Sequence, residues 1–186
     1  MDNGINIRLL TTEELSFFKK QCIKLYLQAF TTGKYAQYIS EIEAEKDWQK
    51  YHEIGEIYVA LHGKNLAGAL VAYPLKFDEN LPKQSVFEVE KSVYIAELVV
   101  QTAFQGNGIG SLLMNYFNEN INKDVFPNVV IRVWNENIPA LSLYRNLGFK
   151  DTGISICQTK HRAENETFEM TKIYMLKAWD QRFPNR

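Results

Sequence analysis

Apolar positions along the chain fall in blocks whose spacing alternates between that of a strand and that of a helix. Ile5–Leu10 reads as a short strand. From Thr11 the spacing changes: Leu15, Phe18, Cys22, Leu25 and Ala29 recur at three- and four-residue steps, the period of one helix face. Thr11, with Glu14 three residues on, makes a capping box at its start, and Gly33 breaks the pattern. A second helical stretch, rich in Tyr and in both charges, spans residues 34–54. Residues 56–77 hold two apolar runs around His62-Gly63-Lys64-Asn65, a hairpin signal. Pro74 predicts that the second of these strands ends, or sits at an edge, at that point.

Residues 78–90 form a polar loop containing Pro82, and Ser92–Val100 is an apolar strand with Glu97 as its only charge. A helix over 108–121 presents Ile109, Leu112, Leu113, Tyr116 and Asn120 on one face, flanked by Phe117 and Ile121. Asn128–Trp134 is a strongly apolar strand. The next helix, over 137–147, has Asn137 as N-cap, Pro139 in its first turn and Gly148 as its stop. Two strands follow, near Gly153–Thr159 and Phe168–Leu176, joined by a charged turn over 160–165. The strand–helix–strand unit around Gly106–Gly110 requires a parallel pairing with a right-handed crossover. The hairpins before and after it imply antiparallel neighbours. The expected architecture is a mixed, mostly antiparallel sheet of about seven strands flanked by about four helices, in the α/β or α+β class.

Bulk properties narrow the function. A chain of 186 residues suits one domain, taken as 1–186. With 46% hydrophobic and 23% charged residues it has an ordinary globular composition. Its 21 basic and 22 acidic residues leave a net charge of -1, which gives no footprint for nucleic acid or an anionic membrane. The N-terminus lacks a secretory pattern and no run reaches a membrane span, so a cytoplasmic location is expected. Cys22 and Cys157 are read as free thiols. No His or Cys spacing suggests a metal, and His52, His62 and His161 are read as surface residues.

The chemistry concentrates in Gln105-Gly106-Asn107-Gly108-Ile109-Gly110, between a strand and a helix. Glycine lets backbone N–H groups approach a ligand, and a helix N-terminus offers unpaired donors to an anion. A ligand-free turn is the plain alternative, but three glycines at a helix start are costly to stability. A dinucleotide fingerprint would want glycine at Ser111, with Glu136 as its ribose acid. A phosphate-binding P-loop would want Gly-Lys-Ser/Thr, and Gly110 is followed by Ser111 and Leu112. A kinase loop would need His-Arg-Asp and Asp-Phe-Gly partners, which are missing.

The segment resembles the coenzyme A signature of the GCN5-related N-acetyltransferase (GNAT) family, Gln/Arg-x-x-Gly-x-Gly/Ala. Its neighbours strengthen the likeness. Tyr94–Val100 is similar to the family's central strand, and Asn137, Ala140, Leu143-Tyr144 and Gly148-Phe149 resemble its second block. The resemblance covers about Val93–Phe149; Thr102 stands where the family often has Pro. It implies a GNAT-like acyl-CoA N-acyltransferase fold, with acetyl-CoA as co-substrate, no metal, and a primary amine as acceptor. It further implies that the main chain at Leu98, Val99 and Val100 pairs with the pantetheine arm. The pyrophosphate would rest on the N–H groups of Gln105, Gly106, Asn107, Gly108, Ile109, Gly110 and Ser111, and Asn137 would hydrogen-bond the cofactor arm.

An alkylammonium must lose a proton before it attacks. Glu97, directly or through a water chain, is the candidate base, because an isolated carboxylate in so apolar a strand would otherwise be costly. Tyr144 is the candidate acid for the thiolate on the strength of the resemblance; periodicity alone places it with Ala140, Leu143 and Leu147 on a core face. Phe30, Tyr35, Tyr38, Trp48 and Tyr51, among Glu41, Glu43, Glu45, Asp47 and Glu53, suit a small cationic amine. Lys34, Lys46 and Lys50 offset those acids, so a solvated helix fits equally and the acceptor stays open. The alternative function is a non-catalytic acyl-CoA-binding module. A homodimer is possible by family analogy.

Overall fold

The computed structural model describes residues 4–33, 36–82, 87–163 and 165–179. Among these, the elements run β1 (Ile5–Leu9), α1 (Thr12–Thr31), α2 (Glu41–Ile54), β2 (Glu56–His62), β3 (Asn65–Pro74), β4 (Ser92–Val100), α3 (Ile109–Asn120), β5 (Asn128–Trp134), α4 (Ile138–Asn146), β6 (Lys150–Ala163) and β7 (Glu166–Ala178). The order matches that expected from the sequence. One sheet holds the seven strands in the order β1-β2-β3-β4-β5-β7-β6. Only β4 and β5 pair in parallel, and α3 makes the crossover between them.

The helices cover the two faces of the sheet unequally. α1 and α2 pack on one face, where Phe18, Cys22, Leu25 and Trp48 meet Val59, Val71 and Tyr174. α3 and α4 pack on the other, where Leu113, Phe117 and Leu141 meet Leu70, Ile95 and Met175. Alternation along the strands feeds both layers, because successive side chains point to opposite faces.

Several boundaries differ from expectation for local reasons. α2 begins at Glu41 rather than near residue 34, because the Ser40 hydroxyl accepts from the Glu43 N–H while the Glu43 carboxylate accepts from the Ser40 N–H. That capping box fixes the start. The buried stripe of α3 is Ile109, Leu113, Met114 and Phe117, and Leu112 is 42% exposed. The i, i+4, i+8 row faces the sheet there, turning Leu112 outward. β6 and β7 run longer than the apolar pattern suggested, since Thr159, Lys160 and His161 pair with Glu169, Phe168 and Thr167 despite their polarity. β3 ends at Pro74, as that residue predicts. Cys22 is buried and Cys157 exposed; both are free thiols. No described helix is long and apolar enough to cross a membrane.

Candidate active site

The site arises where the central strand changes partner. β4 and β5 are paired only from Ser92–Asn128 to Ile95–Ile131, although both strands continue. Past Ile95 the two strands separate. At the same level the β3–β4 register shifts: Val71 lies opposite Glu97 and Ala72 opposite Ile95, so Ala96 is an extra, bulged residue. A bulge re-aims the side chains that follow it. Tyr94 packs on the α1/α2 face, and simple alternation would send Glu97 to the opposite face with Val93 and Ile95. The bulge reverses this, and Glu97 instead meets Tyr51 of α2, whose hydroxyl donates to Oε1 at 2.7 Å.

Separation of β4 from β5 also frees main-chain groups. Gln101 N–H donates to Ala67 C=O, which fixes the hydrogen-bonding phase of the β3–β4 ladder. In an antiparallel ladder alternate residues bond to the partner and the others turn away. By that phase Val99 bonds to Ala69, whereas Leu98 and Val100 turn their N–H and C=O groups toward the gap. The Gln105 side chain donates to the Val100 carbonyl at 3.1 Å.

A cleft of about 1030 Å³ passes through this gap. On the α3/α4 side its wall is the glycine segment together with Asn137, Leu143 and Tyr144. Gly106 and Gly108 have φ of 78° and 76°, a left-handed conformation that favours glycine, and a Cβ on either would meet nothing within 4 Å. From Gly106 to Ser111 no backbone N–H has a partner among the described residues; the first helical bond is Leu112 N–H to Gly108 C=O. Consecutive free amides at a helix N-terminus are arranged as donors that suit an anion. The Asn137 Oδ1 caps α4 by accepting from Ala140 N–H at 3.3 Å.

On the α1/α2 side the wall includes Tyr26, Phe30, Asp47, Tyr51, Arg132 and Lys172. Burial raises the Glu97 carboxyl well above its ordinary 4.5, against the opposing pull of the Tyr51 hydrogen bond and the Lys172 charge. Burial lowers Lys172, as do the charges of Lys160 and Arg132. Asp47 is raised by burial and accepts from the Tyr26 hydroxyl at 3.3 Å. Tyr144 is 6% exposed; burial, followed by the Glu97 charge, raises its phenol. Its ring packs on Phe149 at 5.9 Å.

Every site residue expected from the sequence except Asn107 lines this cleft: Glu97, Leu98, Val99, Val100, Gln105, Gly106, Gly108, Ile109, Gly110, Ser111, Asn137 and Tyr144. The Asn107 side chain folds back onto the Phe104 and Gln105 carbonyls. Of the residues suggested for the acceptor, Phe30, Asp47 and Tyr51 reach the cleft. Trp48 enters the core, Tyr38 is exposed, and Lys34 and Tyr35 lie outside the described residues. Sequence reasoning missed Arg132, Lys160 and Lys172. Arg132 and Lys172 had a signal: each is the charge at an inward position of its strand, beside Val130 and Tyr174 respectively. Among the described residues no group of three or more His, Cys, Asp or Glu could hold a metal ion.

The model of the acetyltransferase (GNAT) family matches residues 19–149. No curated protein matches the chain. Among solved structures, a ribosomal-protein-alanine N-acetyltransferase from Brucella melitensis superposes with TM-score 0.68 at 17% identity, over 93% of this chain and 99% of that one. The ribosomal-protein-S18-alanine N-acetyltransferase of Escherichia coli gives 0.64 at 14%, over 98% of each chain. A GNAT family acetyltransferase from Elizabethkingia anophelis, with acetyl-CoA bound, gives 0.61 at 21%, over 96% of this chain and 99% of that one. At such identities the likeness establishes the fold.

Proposed function

The chain belongs to the GNAT acetyltransferase family, and on that premise we propose that it moves an acetyl group from acetyl-CoA to a primary amine by direct attack. Glu97, alone or through a water, takes the proton from the ammonium, and Tyr144 gives one to the departing thiolate. The nitrogen gives up two protons, one to Glu97 before it attacks and one as the amide forms. It bonds to the acetyl carbon as the carbon–sulfur bond breaks, and the sulfur takes a proton from Tyr144. The second nitrogen proton restores the phenol, and the proton on Glu97 passes to solvent, so one proton is released for each acetyl moved. The observation that carries this reading is the meeting of Glu97 and Tyr144 at one opening from opposite faces of the sheet.

The residues present fit acetyl-CoA. The row of free amides from Gly106 to Ser111 suits a pyrophosphate, and the outward-turned groups of Leu98 and Val100 suit the amides of a pantetheine arm. Asn137 keeps its side-chain Nδ2 available beside that path. Bound acetyl-CoA supplies an activated acyl carbonyl and a thiolate leaving group; the chain supplies placement and protons. Burial keeps Tyr144 protonated throughout the neutral range, as an acid requires. The raised Glu97 carboxyl is a stronger base than a solvated one, and Tyr51 orients it. An acyl-CoA-binding module would have no use for this base–acid pair.

Calorimetric titration tests the donor site. Acetyl-CoA is expected to bind at least about a hundredfold more tightly than acetyl-pantetheine, which lacks the pyrophosphate and nucleotide. Gly108→Ala forces a left-handed conformation on a residue with a Cβ, at a cost of about 1–2 kcal/mol, and is expected to weaken acetyl-CoA binding by roughly tenfold. Equal affinity for the two donors, with no effect of Gly108→Ala, would remove the pyrophosphate from this loop.

A further inference from the structure

The half of the cleft under α1 and α2 carries charges of both signs that make no ion pair among the described residues. Glu97 and Asp47 each accept from a tyrosine hydroxyl and, among the described residues, from no cation within salt-bridge distance. Across the gap, Lys172 of β7 and Lys160 of β6 line the same space, and among the described residues neither ammonium makes an ion pair or a hydrogen bond. The other cations of the cleft are already engaged. Arg132 donates to Asp78 and Tyr174, and Lys50 to Glu79. Lys172 sits opposite Trp134 of β5 and Ile156 of β6, so its strand is one place beyond the strand that faces Glu97 across the opening.

A desolvated cation without a partner is costly unless a ligand supplies the anion. A polyamine or aminoglycoside brings only positive charge, and would place further cations beside Lys160 and Lys172. An amine that also carries a carboxylate matches both walls at once. The space is bounded on its outer side as well. Tyr38, just before α2, is tied to the end of β6 by its N–H donating to His161 C=O at 2.6 Å, and Thr32, Gly33 and Gln37 also line the cleft. That tie between α2 and β6 suits a small molecule better than a polypeptide.

We propose that the acceptor is a small amino carboxylate, its amine directed to Glu97 and Asp47 and its carboxylate bound by Lys172 with Lys160. The inference rests on the acetyltransferase reading above and names its substrate class. The products are the N-acetylated amino carboxylate and coenzyme A thiol, with the proton transfers already described.

The test is thiol release from acetyl-CoA with amino acids of several chain lengths, each against its carboxamide and against polyamines. It is run on wild type and on Lys172→Met, with calorimetry of the same compounds in the presence of coenzyme A. Amino carboxylates are expected to exceed their amides in kcat/KM by at least about tenfold, the scale of one charge-assisted contact. Lys172→Met is expected to erase that preference by raising KM for the acid at least about tenfold, with kcat within roughly threefold. Both are read on the plateau above the acidic limb, which the loss of the Lys172 charge moves upward. A merely structural lysine would change acid and amide alike and lower Tm, whereas removal of a half-buried charge that makes no ion pair leaves Tm unchanged or raised. Equal or better turnover of amides or polyamines overturns the inference and leaves the acetyltransferase reading standing. Absence of transfer to every amine removes that reading instead. Calorimetry then decides the inference alone, and failure of every amino carboxylate to bind overturns it.

Discussion

Glu97→Gln is expected to lower kcat/KM by roughly 10²–10⁴-fold, the range of general-base catalysis, while acetyl-CoA binds as before. Gln keeps the volume of the side chain and its hydrogen bond from Tyr51, but it cannot take a proton. The pH profile gives the sharper test. Glu97 must be ionised to act, so wild-type activity falls as pH drops through its folded-state pKa, which burial raises well above 4.5. The acidic limb of kcat/KM therefore lies near neutrality rather than in the ordinary carboxylate range, and the variant lacks it. Stability moves the other way. Below the unfolded pKa the group is protonated in both states and has no ionisation penalty. As pH rises toward the folded pKa, the unfolded chain releases the proton first and the fold loses stability. Glu97→Gln escapes that loss, so its Tm relative to wild type rises between about pH 5 and pH 8. A variant that is inactive and yet more stable separates chemistry from unfolding.

Tyr144→Phe is expected to lower kcat by about 10²-fold or more, with the acetyl-CoA Kd within about threefold and Tm unchanged. Its ring stays against Phe149, and no hydrogen bond of the Tyr144 hydroxyl is lost, because none is made among the described residues. The deficit lies in expulsion of the thiolate and shrinks when the acyl donor carries a more acidic thiol, since a better leaving group needs less protonation. The basic limb of the pH profile is not expected to belong to Tyr144, because burial holds its proton beyond the range in which the amine is already neutral. Equal turnover in the variant would exclude the phenol as the acid.

How much of this was legible depended on the kind of signal. Glycines at Gly106, Gly108 and Gly110 mark a backbone need directly, since φ disfavours side chains at the first two and Gly110 lies close against Leu143. Asn137 and Gly148 likewise mark both ends of α4. The direction of Glu97 was not legible. Alternation along β4 points it to the wrong face, and only the Ala96 bulge, a matter of pairing with β3, brings it to Tyr51. That charges from distant segments share one wall under α1 and α2 was hidden for a related reason. Asp47, Arg132, Lys160 and Lys172 lie on α2, β5, β6 and β7, and only the strand order β4-β5-β7-β6 brings them to one space. Arg132 and Lys172 stood as inward charges in apolar strands, the same irregularity that singled out Glu97.

The central claim is that this cleft transfers acetyl from acetyl-CoA to an amine, and thiol release across a panel of amines, with product mass measured in parallel, tests it most directly. The account predicts amine-dependent release, matched one for one by an N-acetylated product and lost in Glu97→Gln and Tyr144→Phe. Tight binding of acetyl-CoA with no amine-dependent release for any amine would contradict it, and would leave the chain a holder of acyl-CoA rather than a transferase.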